Sequence, residues 1–200
     1  MKRVLPILAL AAASSLAAPA FAQSSTATYR AVTSGALQVP PNASPGTSLV
    51  TIDIPGRQLM VDMPFRDLIG TTIDAHIHCC TTDAFSGVAP IALPFTGFPM
   101  EVRAGDYSSS FKLGDEATYD PAFLAASGGT APGAASALLD GINANQAYVN
   151  IHTSAYPNGE VRGFLVAAPI PEPAEWAMLG VGVAGLLLLS RRRRQSGMAS

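Results

Sequence analysis

The chain has 200 residues, of which 48% are hydrophobic and 13% are charged, and its formal net charge is −2. Residues 23–170, between two apolar ends, carry six basic and twelve acidic side chains, a net charge of −6. Because phosphate binding needs a basic face, this balance argues against nucleic acid as a partner. The same segment is long enough for one ordinary domain with its own core.

The first residues have the pattern of a secretory signal peptide. A basic start precedes the apolar run 4–18, and the small-x-small sequence at 20–22 fits a peptidase cut before Gln23. A buried N-terminal helix is the alternative, but Pro6 and the lack of a polar face disfavour it. We therefore predict a signal peptide over residues 1–22 and an exported remainder.

The central segment, 26–168, is predicted to be one mainly β domain. It consists of short runs with alternating or β-branched residues, separated by Pro, Gly, Asn and Asp. Residues 54–57 and 156–159 have the composition of hairpin turns. The alanine-rich stretch 121–146 predicts one or two short helices. The expected architecture is a single antiparallel Greek-key β-sandwich or barrel with a short helical crossover.

Two of the three histidines lie in the segment DAHIHCC, residues 74–80. The alternation of a strand places Ile73, Ala75 and Ile77 on one face and Asp74, His76 and His78 on the other. In the later strand, residues 148–153, His152 again lies opposite the aliphatic side chains. If the aliphatic faces form the core, all three histidines share the outer face, where loops can cover them.

This face supports two interpretations. Three converging imidazoles at His76, His78 and His152 would suit copper or zinc, with Asp74, Asp83 or a cysteine as a fourth ligand. Alternatively, the histidines form hydrogen bonds with Asn150, Glu160 or backbone groups and lock the closing hairpin onto its neighbour. The sequence favours the second interpretation, because nothing in it brings His152 to the other two.

Both cysteines, Cys79 and Cys80, follow the second histidine directly. Consecutive Cα atoms are about 3.8 Å apart, below the roughly 4.4–6.8 Å of a relaxed disulfide, so this pair cannot staple distant parts of a fold. Two thiols, a local ring, an intermolecular bridge and metal ligands all remain open.

Other catalytic signatures are absent from the sequence, which has no Gly-x-Ser-x-Gly turn, phosphate loop or paired-carboxylate motif. Glu160 and Arg162, which flank Val161, are expected to form a salt bridge at the surface or within the hairpin. We therefore expect a protein that is not an enzyme.

The C-terminal end combines three features. The apolar run Ala174–Ser190 would form a helix about 26 Å long, close to the roughly 30 Å of a hydrocarbon core. The arginines that follow it would stay in the cytoplasm. This tail resembles the PEP-CTERM sorting signal, and the matching residues are Pro171, Glu172, Pro173, Arg191, Arg192, Arg193 and Arg194.

The resemblance implies that segment 171–194 holds the precursor in the inner membrane and is processed by an exosortase, with 195–200 as a short cytoplasmic tail. The product would then reach the periplasm, the cell surface or the extracellular space. This location implies an exopolysaccharide or another matrix component as the partner.

The order of motifs in the domain resembles the CHRD domain, named for chordin. His76-Ile77-His78 matches its paired histidines, and Tyr148–Leu165 matches its closing hairpin, whereas Cys79-Cys80 replaces a frequent Gly-Pro. The resemblance implies an exported cell-surface or extracellular protein that serves as a binding or structural module.

The predicted histidine placement is also similar to that of copper/zinc superoxide dismutase, another Greek-key sandwich with a His-x-His pair on one strand and a further histidine near a late strand. That enzyme needs four copper histidines and additional zinc ligands, so three histidines do not support dismutase activity. A copper- or zinc-binding redox protein using His76, His78 and His152 is the alternative function.

Overall fold

A computed structural model describes residues 26–169, together with 180, 182 and 183. Residues 26–169 are mainly β, as predicted, with two antiparallel sheets, two α-helices and two single 3-10 turns at Gly35–Leu37 and Glu116–Thr118. The strands are β1 (Ala27–Val32), β2 (Thr47–Ile54), β3 (Gln58–Arg66), β4 (Thr72–His78), β5 (Ile91–Pro94), β6 (Gly105–Lys112), β7 (Tyr148–Thr153), β8 (Val161–Phe164) and β9 (Val166–Ala167), and the α-helices are α1 (Pro121–Ala126) and α2 (Ala131–Asn143).

The predicted segments 1–22 and 195–200 lie outside the described residues. Of the predicted sorting segment 171–194, only Gly180, Gly182 and Val183 are described. Within the described parts of the chain, no helix combines the length and the apolar character needed to cross a bilayer.

Five strands form one sheet in the order β6-β3-β2-β1-β9, and four form the other in the order β5-β4-β7-β8. The core lies between them, and the strands β1, β2, β3 and β6 of the first sheet bury alternate side chains against it. In β3, for example, Leu59, Val61, Met63 and Phe65 are buried while the residues between them are exposed. The predicted β-sandwich is confirmed.

The predicted turn and crossover are also present. Gly56 (φ 67°) closes the turn between β2 and β3 in the left-handed conformation that favours glycine. Asp120 caps α1 and Thr130 caps α2, so the alanine-rich stretch forms two helices that connect β6 to β7.

One strand face differs from the prediction. The pairing of β4 with β7 shifts its register between Thr72 and Asp74. Thr72 is therefore buried, whereas Ile73 is 40% exposed, so the buried aliphatic face of β4 begins at Ala75. The predicted place of Ile73 on that face is wrong, because alternation from sequence does not anticipate a bulge.

Candidate metal centre

The three histidines lie on the outer face of the four-stranded sheet, on two neighbouring strands. In the antiparallel pairing of β4 with β7, Asp74 lies opposite His152 and His76 lies opposite Asn150, so His152 is diagonal to His76. Loops cover this face, and His76 and His78 retain only 5% and 8% of their exposure. The inward side chains, among them Ile77 and Ile151, fill the core between the sheets.

The three rings form one compact cluster. The ring centroids of His76 and His152 are 5.0 Å apart, those of His76 and His78 are 5.6 Å apart, and those of His78 and His152 are 5.9 Å apart. One ring nitrogen from each histidine lies within 4.8 Å of the nitrogens of the other two. The register of β4 against β7 thus brings His152 to the His-x-His pair.

The second nitrogen of each ring has a hydrogen-bond partner. Nδ1 of His78 lies 2.9 Å from the carbonyl oxygen of Ala89, and Nδ1 of His152 lies 2.9 Å from that of Pro157. In His76 the roles are reversed, with Nε2 2.7 Å from the Asp74 carboxylate. Because carbonyl and carboxylate oxygens accept, these nitrogens carry a proton, and in the neutral form of a ring the opposite nitrogen is a bare acceptor.

The bare nitrogens have no partner. His76 Nδ1, His78 Nε2 and His152 Nε2 are buried without a hydrogen bond. The fourth buried side-chain atom of this kind in the described chain, Ser48 Oγ, belongs to β2 of the other sheet. Since buried polar atoms in native proteins are nearly always paired, three lone pairs gathered in one place match the donor set of a metal ion.

Burial also keeps two of the rings, those of His78 and His152, neutral. Desolvation, reinforced by the neighbouring His76 and His152, lowers the pKa of His78 to about 4, although the hydrogen bond to Ala89 opposes the shift. Desolvation likewise lowers the pKa of His152, against the opposing effects of Pro157 and Asp74. The imidazoles of His78 and His152 are therefore uncharged at neutral pH, and the uncharged ring is the form that binds metals.

A stack of rings and one guanidinium supports the cluster from the side. The Tyr148 ring lies parallel to that of His78 at 4.9 Å, and the Arg162 guanidinium lies 4.8 Å from the Tyr148 ring centroid. Arg162 is buried and donates hydrogen bonds to the carbonyl oxygens of Leu37 and Gly87. It thereby ties two covering loops to the sheet.

Glu160 holds further loop segments against the sheet. Its carboxylate is fully buried and accepts hydrogen bonds from Ser44 Oγ (2.5 Å), Thr153 Oγ1 (2.6 Å), Ile69 N (2.6 Å) and Gly70 N (3.0 Å). Burial alone would raise the pKa of Glu160, but these hydrogen bonds outweigh it and hold the pKa below its usual value.

Two expectations about this layer are corrected. Glu160 and Arg162 do not form the predicted surface or hairpin salt bridge, because both are buried and each uses its hydrogen bonds on a different loop. The Asn150 side chain accepts from Gln38 at 2.7 Å instead of bonding to a histidine. Only the backbone partners of the histidines were predicted correctly.

The cysteines lie apart from the cluster. Cys79 and Cys80 are joined in a disulfide, so the local ring is the option that the fold adopts. The sulfur of Cys80 lies 3.6 Å from the carbonyl oxygen of Ala137, and a side chain at Gly141 would overlap both sulfurs, which places the pair against α2. The cysteines are therefore not the fourth ligand that the sequence allowed.

Neither predicted carboxylate joins the cluster as a ligand. The Asp74 carboxylate is hydrogen-bonded to Nε2 of His76, which points away from the cluster, and Asp83 is an exposed loop residue. Tyr148 and Arg162 were missed as parts of the site, although alternation along β7 places Tyr148 on the face of His152. The predicted sorting residues, Pro171 to Pro173 and Arg191 to Arg194, lie outside the described residues.

The fold and the site define a class: a two-sheet β domain with a buried three-histidine cluster on the outer face of one sheet. Residues 29–165, more than half of the chain, match the CHRD domain, and the chain belongs to this family. Membership is consistent with an exported, extracellular domain. No curated protein and no solved structure matches the chain.

Proposed function

We propose that this chain is an exported CHRD-domain protein that binds copper or zinc through His76, His78 and His152. One observation carries the proposal: three bare ring nitrogens are buried together and have no hydrogen-bond partner. A patch that only locked the fold would leave three buried acceptors unsatisfied, each at a cost of about 1–3 kcal/mol. A bound ion would satisfy all three at once.

The outer partners of the rings support the same function. Asp74, Ala89 and Pro157 each hold the protonated nitrogen of one histidine, which orients the lone pair on the other side. Nitrogen ligands bind copper or zinc at about 2.0–2.1 Å, so the rings would close in slightly around the ion.

The strand order supports the finer fold prediction. The orders β6-β3-β2-β1 and β5-β4-β7-β8 fit a Greek-key sandwich with a topology like that of superoxide dismutase. Dismutase activity is not part of the proposal, because the chain has only three histidines. We propose metal binding without assigning a catalysed reaction.

Metal analysis tests the binding. The full-length chain, purified in mild detergent because of its apolar C-terminal segment, is stripped with a chelator, reloaded with copper or zinc and desalted. We expect about one ion per chain, and less than a tenth of that in a His78→Gln, His152→Gln double variant. Asn150→Ala, which changes a buried polar residue of the same layer, should retain the ion. Equal metal content in the double variant and the parent would contradict the proposal.

We propose in addition that the precursor is sorted by an exosortase through Pro171, Glu172 and Pro173, with segment 174–190 crossing the inner membrane before processing. The support is the three-part sequence pattern described above. In a bacterium that has an exosortase, the intact mass of the product should correspond to a chain that begins at Gln23 and lacks the arginine cluster.

A Pro171→Ala, Pro173→Ala variant should retain that cluster. A product that still ends at Ser200 would indicate a permanent membrane anchor instead. A cytosolic product that still begins with Met1 would contradict export.

A metal-free binding or structural module in the envelope or matrix is the second candidate. It is favoured by the bonds from His78 and His152 to the loop carbonyls of Ala89 and Pro157, which join covering loops to the sheet. An exopolysaccharide or other matrix component would then be the partner. The metal analysis above separates the two functions, since this candidate predicts no bound ion in any variant.

A further inference from the structure

We infer that the ion for which this site is built is monovalent copper, held by three nitrogens in a trigonal arrangement, in preference to Cu(II) or Zn(II). The inference rests on the proposed metal site and concerns which ion that site selects. Three properties of the cluster carry it: the number of donors, their enclosure and the charge around them.

In this cluster the described residues offer three metal-binding atoms, one from each histidine. His76, His78 and His152 are the only members of the cluster among the described residues. Asp74 is engaged with the far side of the His76 ring, and the cysteine sulfurs are bonded to each other. Zn(II) takes four ligands in a tetrahedron and Cu(II) prefers a tetragonal set, whereas Cu(I) is satisfied by three.

Enclosure disfavours water as a fourth ligand. The three bare nitrogens make no contact with solvent, and the Tyr148 ring covers one side of His78. A buried water needs two to four polar partners. In the described part of the site, the unpaired acceptors are the ring nitrogens themselves, which the ion would occupy. A metal-bound water would therefore have no partner for its hydrogens.

Charge points the same way. Asp74 is the one carboxylate in contact with the rings in the described chain. A monovalent ion and Asp74 balance each other, whereas a divalent ion leaves one positive charge uncompensated in a buried site, which is costly. Arg162, over the Tyr148 ring that stacks on His78, adds further positive charge, and the Glu160 carboxylate is occupied by four donors.

Because the site would bind Cu(I) more tightly than Cu(II), binding should shift the equilibrium Cu(II) + e⁻ → Cu(I) toward the reduced ion. One electron is taken from a reductant such as ascorbate, and no proton or bond in the protein needs to change. The bound couple should therefore have a higher midpoint potential than aqueous copper.

Competition titrations of the full-length chain test the inference. Cu(I) is measured anaerobically in ascorbate against bicinchoninate, and Cu(II) and Zn(II) are measured against chelators of known affinity. We expect a dissociation constant for Cu(I) at least about 100-fold lower than for Cu(II) or Zn(II), which corresponds to about 2.7 kcal/mol. Tighter or equal binding of a divalent ion overturns the inference but leaves the metal site standing. Failure to bind any of the three ions overturns the proposed function as well.

Asp74→Asn provides a second readout. The side chain of Asp74 is 53% exposed, so the variant is expected to fold. Loss of its charge should weaken Cu(II) binding by about 10–100-fold, the usual effect of replacing a group that hydrogen-bonds to a metal ligand. The affinity for Cu(I) should fall by a smaller factor. The midpoint potential should rise further. The matched control is Asp62→Asn, whose carboxylate accepts from Ser108 on the other sheet and which should change neither affinity. Equal weakening of both copper ions in Asp74→Asn overturns the charge argument and the preference that depends on it.

Discussion

Single side chains with buried charge hold the covering loops over the histidines. Glu160 joins the hairpin before β8 to Ser44 and to the backbone at Ile69 and Gly70, while Arg162 joins β8 to two other loops. Such groups are stable in the interior only while their hydrogen bonds are complete. The sequence placed these residues side by side in a hairpin, but their partners come from remote loops that local spacing does not predict.

Removal of the Glu160 carboxylate should destabilise the fold strongly. Glu160→Ala leaves two backbone N–H groups and two hydroxyls without their charged acceptor, so we expect the free energy of unfolding to fall by about 3 kcal/mol or more. Urea denaturation measures the loss. Glu116→Ala, at an exposed glutamate, should change the free energy by less than about 0.5 kcal/mol. Similar small losses in both variants would contradict the role assigned to Glu160.

The sequence pattern predicts most of the strands and helices, but it does not predict how they are placed relative to one another. Alternation predicted the inward aliphatic side chains of β7, and the alanine-rich composition of residues 121–146 predicted the helical crossover. The bulge in β4 and the register that sets His152 beside His76 arise from pairing between strands far apart in the chain. The sequence therefore identified the three histidines as candidates, but it could not bring them together or find their bare nitrogens.

The contact between α2 and the disulfide makes a further prediction. In an isolated helix, Gly141→Ala would stabilise by about 1 kcal/mol. Here a Cβ at Gly141 would overlap the sulfurs of Cys79 and Cys80, and such overpacking costs about 1–3 kcal/mol. We expect the variant to melt at a lower temperature than the parent. Gly114→Ala, where the added Cβ meets open space, should not. A higher melting temperature for Gly141→Ala would disprove the packing.

The stability of the whole metal-free molecule should fall in acid. The pKa of His78 is about 4 in the fold and about 6.5 when unfolded, so on acidification the unfolded chain takes up the proton first. Stability is therefore lost between about pH 6.5 and pH 4, by roughly 3 kcal/mol from this group. His152, whose pKa is also lowered, adds to the loss, and Glu160 adds more as the pH falls below 4.5 through its own folded pKa.

Urea unfolding between pH 7 and pH 4 measures this dependence in the presence of a chelator. His78→Gln should give a shallower profile than the parent, because the glutamine does not titrate. A parent profile that is flat over this range would contradict the buried, neutral state of His78 and His152.

X-ray absorption spectroscopy of the copper-loaded full-length chain examines the three-histidine site most directly. We predict a first shell of three nitrogen ligands at about 2.0 Å with the multiple scattering of imidazole, and loss of that spectrum in the His78→Gln, His152→Gln variant. A shell of oxygen or sulfur ligands, or a spectrum unchanged by the two substitutions, would contradict the site.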